Sequence, residues 1–302
     1  MGVSISLGEG STPLVQARRL GRDVFLKCEG LNPTGSFKDR GMVRAVAGAV
    51  ESGARAVCCA STGNTAASAA AYAARAGLRA IVLTPAGAAA TAKLAQARAC
   101  GACVVEVRGS FDDALRLVRE LAAEDGFALV NSLNPLRIEG QKSVVAEVLE
   151  QLQSEPEVIA LPYGGGGNVT AVAAAVADAG IETRIVVGQA AERATTWASA
   201  IRIGEPAHRA RVEELAAAGR VEIVTLSEDD LRRAWERLGR DEGVFCEPAS
   251  AAGLAALEQS PSGTSRAVCI VTGHGLKDTD KVLASPAAPV EATLDAVLEA
   301  AA

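Results

Sequence analysis

The chain has 302 residues, of which 49% are hydrophobic, enough for one large or two modest domains with a substantial core. Lysine and arginine number 30 against 36 aspartates and glutamates, a net charge of −6, and aromatics make up only 3%. That balance argues against nucleic-acid and membrane-surface binding, which rely on basic patches and stacking platforms. No start of basic-then-apolar character resembles a signal peptide, and no apolar run reaches membrane-spanning length, so a soluble, cytoplasmic enzyme is the expectation.

In chain order, the first punctuated segment is NPTGSFKDRG (32–41), where Pro33 and Gly35 break regular structure and a helix-like pattern begins just after Lys38. Between 55 and 131 apolar runs alternate with helix-like ones. RAVCCA (55–60) leads to an alanine-rich helix over 64–76, then RAIVLT (79–84), a helix near 91–100, CVVEV (103–107), a helix over 111–124 and FALVNS (127–132). The alternation resumes with a helix over 141–153, VIALP (158–162), a helix over 168–179 and RIVVG (184–188). A charged helix over 228–241 and a last strand, AVCIVTG (267–273), follow. The pattern predicts an α/β fold with mainly parallel sheets covered by helices on both faces. No Pro-, Gly- or Ser-rich linker divides the chain, so two open α/β layers facing one cleft are expected. The Ala/Pro-rich tail from 284 specifies little.

Seven cysteines, at 28, 58, 59, 100, 103, 246 and 269, are odd in number and scattered, unlike a disulfide framework. Cys100 and Cys103 form a C-x-x-C, but no second pair and no nearby histidine completes a metal site. The expectation is two small buried residues, since free cysteine packs as a small hydrophobe.

Lysine is scarce, six residues against 24 arginines, and Lys38 sits in a tight loop at a helix start, which suggests a reactive amine. Such an amine can form an imine with an aldehyde cofactor and act as a base once its pKa is lowered. Two further loops each join an apolar run to a helix. In STGNT (61–65), Ser61 and Thr62 follow a strand, and free N–H groups at the helix start suit an anion such as a substrate carboxylate. Asn64 is placed to hydrogen-bond a cofactor hydroxyl, although an ordinary capping loop would read the same. GGGGN (164–168) carries the chain-entropy cost of four glycines, which makes sense where backbone N–H groups approach a phosphate. A Walker-A loop lacks its Gly-Lys-Ser/Thr here, and a dinucleotide fingerprint lacks its third glycine and its acidic residue. A reactive lysine with two anion-cradling loops is what a pyridoxal phosphate enzyme needs. In TGHGLKD (272–278), Thr272 ends a strand where open α/β sheets bind ligands, and His274 between glycines reads as a turn residue. His208 lies in a polar loop, and with only two histidines no metal is expected. In FCEPASAAG (245–253), Glu247 reads as structural at a helix entrance, with Ser250 as its cap.

Several segments together resemble the threonine synthases, in the fold-type-II, tryptophan synthase β-like group of pyridoxal phosphate enzymes. They are LGEGSTPL (7–14), KCEGLNPTGSFKDRGM (27–42), CASTGNTAASAAAYAARAG (59–77), KLAQA (93–97), NSLNPLRIEGQK (131–142), CEPASAA (246–252) and TGHGLKD. The resemblance implies two open twisted α/β domains with the cofactor between them, a large one over 1–45 and 133–302 and a small inserted one over 46–132. It implies Lys38 as the Schiff-base lysine, Asn64 on the cofactor's phenolic oxygen, Gly164, Gly165, Gly166, Gly167 and Asn168 around its phosphate, and Thr272 at its pyridine nitrogen. It further implies O-phospho-L-homoserine as substrate, with the carboxylate on Ser61, Thr62 and Thr65 and the phosphate on Ser132 and Arg137, and a homodimer. The family's phosphate loop usually reads GNAGN. Gly165 stands in place of an asparagine expected to help hold the substrate phosphate, and four glycines look more like the amino-acid dehydratases of the same fold. The alternatives are therefore a serine/threonine dehydratase, or another β/γ-replacement enzyme acting on a different activated amino acid. A non-catalytic sensor would be marked by loss of the lysine, which is present.

Overall fold

The computed structural model describes residues 5–20, 23–87, 91–260, 266–281, 289 and 291–301. Strands β1 (Leu14–Ala17) and β2 (Val24–Cys28) pair antiparallel, and α1 (Lys38–Glu51) follows. The next run is β3 (Ala56–Ala60), α2 (Asn64–Ala76), β4 (Arg79–Pro85), α3 (Thr91–Ala99), β5 (Cys103–Val107), α4 (Phe111–Ala123) and β6 (Phe127–Leu129). Its strands form a parallel sheet in the order β5-β4-β3-β6. After α5 (Pro135–Gln141) and α6 (Ser143–Leu152) come β7 (Val158–Pro162), α7 (Gly167–Asp178), β8 (Arg184–Ala190), α8 (Arg209–Ala217), β9 (Val221–Leu226), α9 (Glu228–Arg240), α10 (Ala252–Gln259), β10 (Ala267–Val271) and α11 (Leu294–Ala301). The second sheet has six strands in the order β1-β2-β10-β7-β8-β9, all parallel except β1. The protein is thus two α/β domains, each built on its own sheet.

Both sheets are covered on both faces, as continuous apolar strands require. Along β7, Val158 and Ala160 join one cluster while Ile159 and Leu161 join the opposite one. On β10, Cys269 and Val271 face one way and Val268 and Ile270 the other. In the smaller sheet Val57 and Cys59 pack with α1 and α2, and Cys58 and Ala60 pack with α4. This two-residue alternation is the pleat of a strand, here apolar on both sides.

Four features differ from the sequence expectation. The helix expected over 141–153 forms as α6, but a further helix, α5, precedes it and meets it at Lys142. The earlier one is started by Asn134, whose side chain accepts from the Leu136 N–H, and by Pro135 in the first turn. Strands β1, β2 and β9 and helix α8 form where no element was singled out. The Ala/Pro-rich tail carries α11, while its residues 282–288 and 290 lie outside those described. Cys100 and Cys103 are not a buried pair. Cys100 is half-buried beyond α3, and Cys103 is exposed because β5 is an edge strand. Among the described residues no helix is long and apolar enough to cross a membrane, and no group of His, Cys, Asp or Glu could hold a metal ion.

The domains are joined by backbone contact between α1 and α5. A Cβ added at Gly41 would lie 2.5 Å from the Arg137 carbonyl oxygen, and one at Gly140 would collide with that of Arg40. Glycine is needed at both positions because the neighbouring atoms are backbone and cannot swing away. Gly140→Ala is expected to destabilise the fold by about 1–3 kcal/mol, the usual cost of overpacking. Urea unfolding checks this, and an unchanged midpoint would refute the contact.

Candidate active site

The loop carrying Lys38 is held by its own residues. Gly35 has φ +87°, which lets the chain turn back. Asp39 closes the turn by accepting from the Thr34 N–H at 2.7 Å, the Thr34 hydroxyl at 2.6 Å and the Ser68 hydroxyl at 2.6 Å. Arg40 faces the other way and is bonded by Glu29 at 2.6 Å and Glu147 at 2.6 Å. The loop is then fastened to the chain leaving β10. Phe37 N–H donates to the Thr272 carbonyl, His274 N–H donates to the Gly35 carbonyl, each at 3.0 Å, and Ser36 bridges Gly273. Lys38 is thereby set at the first position of α1, half-buried, with its Nζ 4.1 Å from the centre of the Phe37 ring. Among the described residues this amine has no hydrogen bond or ion pair. Loss of hydration lowers its pKa first, the Arg137 charge lowers it further, and Glu247 partly opposes them, leaving it at about 7.

Arg137 is fully buried. Its Nη1 donates to the Val130 carbonyl at 2.8 Å, but Nε and Nη2 have no partner among the described residues. Burial pushes the guanidinium down to about 10. A buried guanidinium with two unused nitrogens marks a place for an anion, because uncompensated buried charge is costly. Ser132, five residues earlier, turns its carbonyl to His208 Nε2 at 2.9 Å. His208 also donates its backbone N–H to the Gly165 carbonyl at 3.0 Å and packs its Cβ on Gly166, whose φ is +86°. The histidine expected in a polar loop therefore braces the glycine loop, and nothing in its local sequence signals this.

That loop ends at α7. The N–H groups of Gly164 to Asn168 find no acceptor among the described residues, and Asn168 Nδ2 and Thr170 Oγ1 are buried without partners. A Cβ at Gly165 would meet only Ile203, at 3.6 Å. On the smaller sheet, Ser61 Oγ accepts from the N–H groups of Gly63 and Ala66 at 3.1 and 3.2 Å and shapes the start of α2. Thr62 and Thr65 are half-buried beside it. Asn131 locks this corner by pairing its amide with both backbone groups of Ala60, each at 2.9 Å.

The two sheets meet through Asn64 and Glu247. Asn64 Nδ2 donates to both carboxylate oxygens at 3.0 Å. The sequence makes Glu247 only structural, yet it faces the residue expected at the cofactor. Ser250 does not cap a helix: its hydroxyl lies 3.1 Å from that of Thr272 and accepts from the Gly273 N–H at 2.9 Å. Gly273 is required, since a Cβ there would collide with Glu247. His274 is a turn residue, its Nδ1 accepting from the Leu276 N–H at 3.1 Å. Lys93, within the KLAQA segment, is buried against Ser199, Asp278 and Glu247.

A reactive amine, a helix start with free N–H groups, an orphaned guanidinium and a hydroxyl pair thus converge where strand ends of two parallel sheets meet. The family described as "Pyridoxal-phosphate dependent enzyme" matches residues 5–273. The chain belongs to this family. It is 45% identical over 306 residues to a threonine synthase of Bacillus sp. (strain ULM1), across 93% of this chain and 87% of that protein. It is 44% identical over 320 residues to a threonine synthase of Mycobacterium leprae (strain TN), across 97% and 89%. Its fold superposes on the crystal structure of an O-ureido-L-serine synthase with a TM-score of 0.82 at 22% identity, across 98% of both chains. The protein is a pyridoxal phosphate enzyme of fold type II, acting on a small amino-acid substrate.

The residues present fit that cofactor. The glycine loop offers unengaged N–H groups to a phosphate, with Asn168 and Thr170 as side-chain donors beside them. The Asn64 Oδ1 is likewise buried and unpartnered. With a pKa of about 7, Lys38 is mostly neutral, hence nucleophilic, above that pH. Borohydride trapping of pyridoxal phosphate on apoprotein should therefore label a Lys38 peptide with a rate that rises through about pH 7 and then levels. A midpoint near the ordinary lysine value of 10.5 would contradict this environment.

Proposed function

We propose that the enzyme is a threonine synthase, converting O-phospho-L-homoserine and water to L-threonine and phosphate by γ-elimination and β-addition. The observation that carries the reading is Arg137, a guanidinium with no exposure and with Nε and Nη2 unpaired, close enough to Lys38 to lower its pKa. A substrate phosphate would satisfy both nitrogens as a planar fork. The threonine synthases of Bacillus and Mycobacterium at 45% and 44% identity support the same reading.

In this assignment Lys38 carries the cofactor, and Gly164 to Asn168 hold its phosphate, with Thr170 added to the set. Thr272, braced by Ser250, meets the ring nitrogen as a neutral hydroxyl, and Asn64 meets the phenolic oxygen. When bound, pyridoxal phosphate supplies the electron sink, and the chain supplies position and charge. Ser61, Thr62 and Thr65 take the substrate carboxylate at the start of α2. Lys38 removes the α-proton and then moves protons at the β- and γ-carbons. Ser132 and Arg137 hold the phosphate that leaves from the γ-carbon, and water adds at the β-carbon.

A serine/threonine dehydratase is the second reading, favoured by the four-glycine loop and the open space at Gly165. Phosphate release from O-phospho-L-homoserine by purified holoenzyme separates the two. Arg137→Leu should raise KM for this substrate by on the order of 10²–10³-fold, as loss of one partner of a desolvated pair costs about 2–5 kcal/mol. Gly165→Asn should lower it. Rapid deamination of serine or threonine, untouched by Arg137→Leu, would establish the dehydratase instead.

A further inference from the structure

Lys93 is a second buried amine at this junction, and the reaction outlined above makes no use of it. It stands on α3 behind the STGNT loop, where a Cβ added at Gly63 would lie 3.5 Å from its Cδ. Its Nζ leaves the smaller domain and ends among groups of the larger one. It donates to Ser199 Oγ at 2.7 Å and to Asp278 Oδ2 at 3.3 Å, and lies 3.9 Å from Glu247 Oε2. Ser199 Oγ in turn donates to Asp278 at 2.6 Å. Lys93 is 3% exposed, Glu247 1% and Asp278 4%. A carboxylate this deeply buried needs a cation and hydrogen-bond donors around it. Lys93 is the one cation within ion-pair distance of Glu247 among the described residues, and Asn64 is the donor.

The Asn64 amide gives the arrangement its direction. Its nitrogen is equidistant, 3.0 Å, from both Glu247 oxygens, so one N–H lies between them and serves both. The amide must turn nitrogen rather than oxygen toward a carboxylate. That leaves its second N–H free to donate elsewhere. If Glu247 lost its charge or its place, nothing else among the described residues would select this orientation.

We infer that Lys93 is a positioning residue that, across the two domains, holds the Glu247 carboxylate in place so that the Asn64 amide presents its free N–H to the phenolic oxygen of the cofactor. The inference rests on the proposed role of Asn64. Lys277 also crosses the junction, donating to the Thr34 carbonyl at 2.8 Å and to Gln96 of α3, but it makes no ion pair with Glu247. The charges of Lys277 and Lys38 act on Glu247 from farther away, and among the described residues Lys93 is the cation in ion-pair contact with it.

The test compares holoenzymes of wild type, Asn64→Ala, Lys93→Met, Lys93→Arg and the double variant combining Lys93→Met with Glu247→Gln. The readouts are the visible absorption spectrum of bound pyridoxal phosphate and its dissociation constant by equilibrium dialysis. Lys93→Met should displace the spectrum in the same direction as Asn64→Ala and weaken binding by on the order of tenfold, the loss of one oriented hydrogen bond. Lys93→Arg should recover most of the affinity. The double variant should fold without a buried unpaired charge yet not recover it, because a neutral side-chain amide can accept from Asn64 or donate to it and so does not select its orientation; a merely structural lysine would instead be rescued by this second change. A wild-type spectrum and affinity in Lys93→Met, with Asn64→Ala altered, would overturn the inference and leave Asn64 at the cofactor. A wild-type spectrum in Asn64→Ala would remove the reading beneath it and the inference together. Should Lys93→Met fail to fold, a folded double variant with the wild-type spectrum and affinity would overturn it equally.

Discussion

The site depends on an amine that is kept out of water beside a second cation. An ordinary lysine is neutral in only about one molecule in a few thousand at pH 7. Dehydration and the neighbouring Arg137 bring Lys38 to about 7, where roughly half of it can act as nucleophile or base. Placing Arg137 there is costly, since a guanidinium with one protein acceptor and no exposure is poorly compensated. The rest of the fold must hold both groups in a position that neither would choose alone.

It does so mainly with backbone. The glycines of α1 and α5 let Arg40 and Arg137 approach through their main chains, which puts the start of one helix against the side chains of the other. The loop before Lys38 is tied to the chain after β10 by the two backbone hydrogen bonds of the Ser36–Gly273 bridge, and the Glu247 N–H donates to the Gly273 carbonyl, so Lys38, Thr272 and Glu247 are fastened to one another through backbone. Asp39 and Arg40, the two residues after the lysine, use their charges inside the protein, one closing the loop and the other anchoring α1 to Glu29 and Glu147. The string KDRG is thus one reactive group, two fasteners and a close approach.

The sequence disclosed what is local or strongly periodic. The β3–β6 run is readable because each strand is continuously apolar and each helix is bounded by turn residues. Helix α5 is not, because it spans only 7 residues and is held in place by its packing against α1. The reactive loop and the glycine loop declare themselves by composition. Glu247, Lys93 and His208 do not, since their roles come from partners far away in the chain: Asn64, 183 residues from Glu247, and Ser132, 76 residues from His208. Ser250 reads as a cap because serine at a helix entrance is usually one, whereas here its hydroxyl is engaged by Thr272 and Gly273 at a strand end.

Within the proposed function the chain treats its two phosphates differently. The cofactor's would be held by neutral N–H groups at the start of α7, dipoles that are fixed in place and carry no net charge. The substrate's would meet Arg137, a full charge that also acts on Lys38. The consequence is electrostatic and needs no movement. While a phosphate dianion sits on Arg137 it cancels the repulsion felt by Lys38, so the amine holds an abstracted proton more firmly. When the phosphate departs, the uncovered guanidinium again disfavours the ammonium, and Lys38 is readier to give that proton back. One arginine would thereby recognise the leaving group and adjust the base to each half of the reaction. A leucine at that position would lose both effects, whereas a dehydratase, with no phosphate to bind, would gain nothing from carrying the charge.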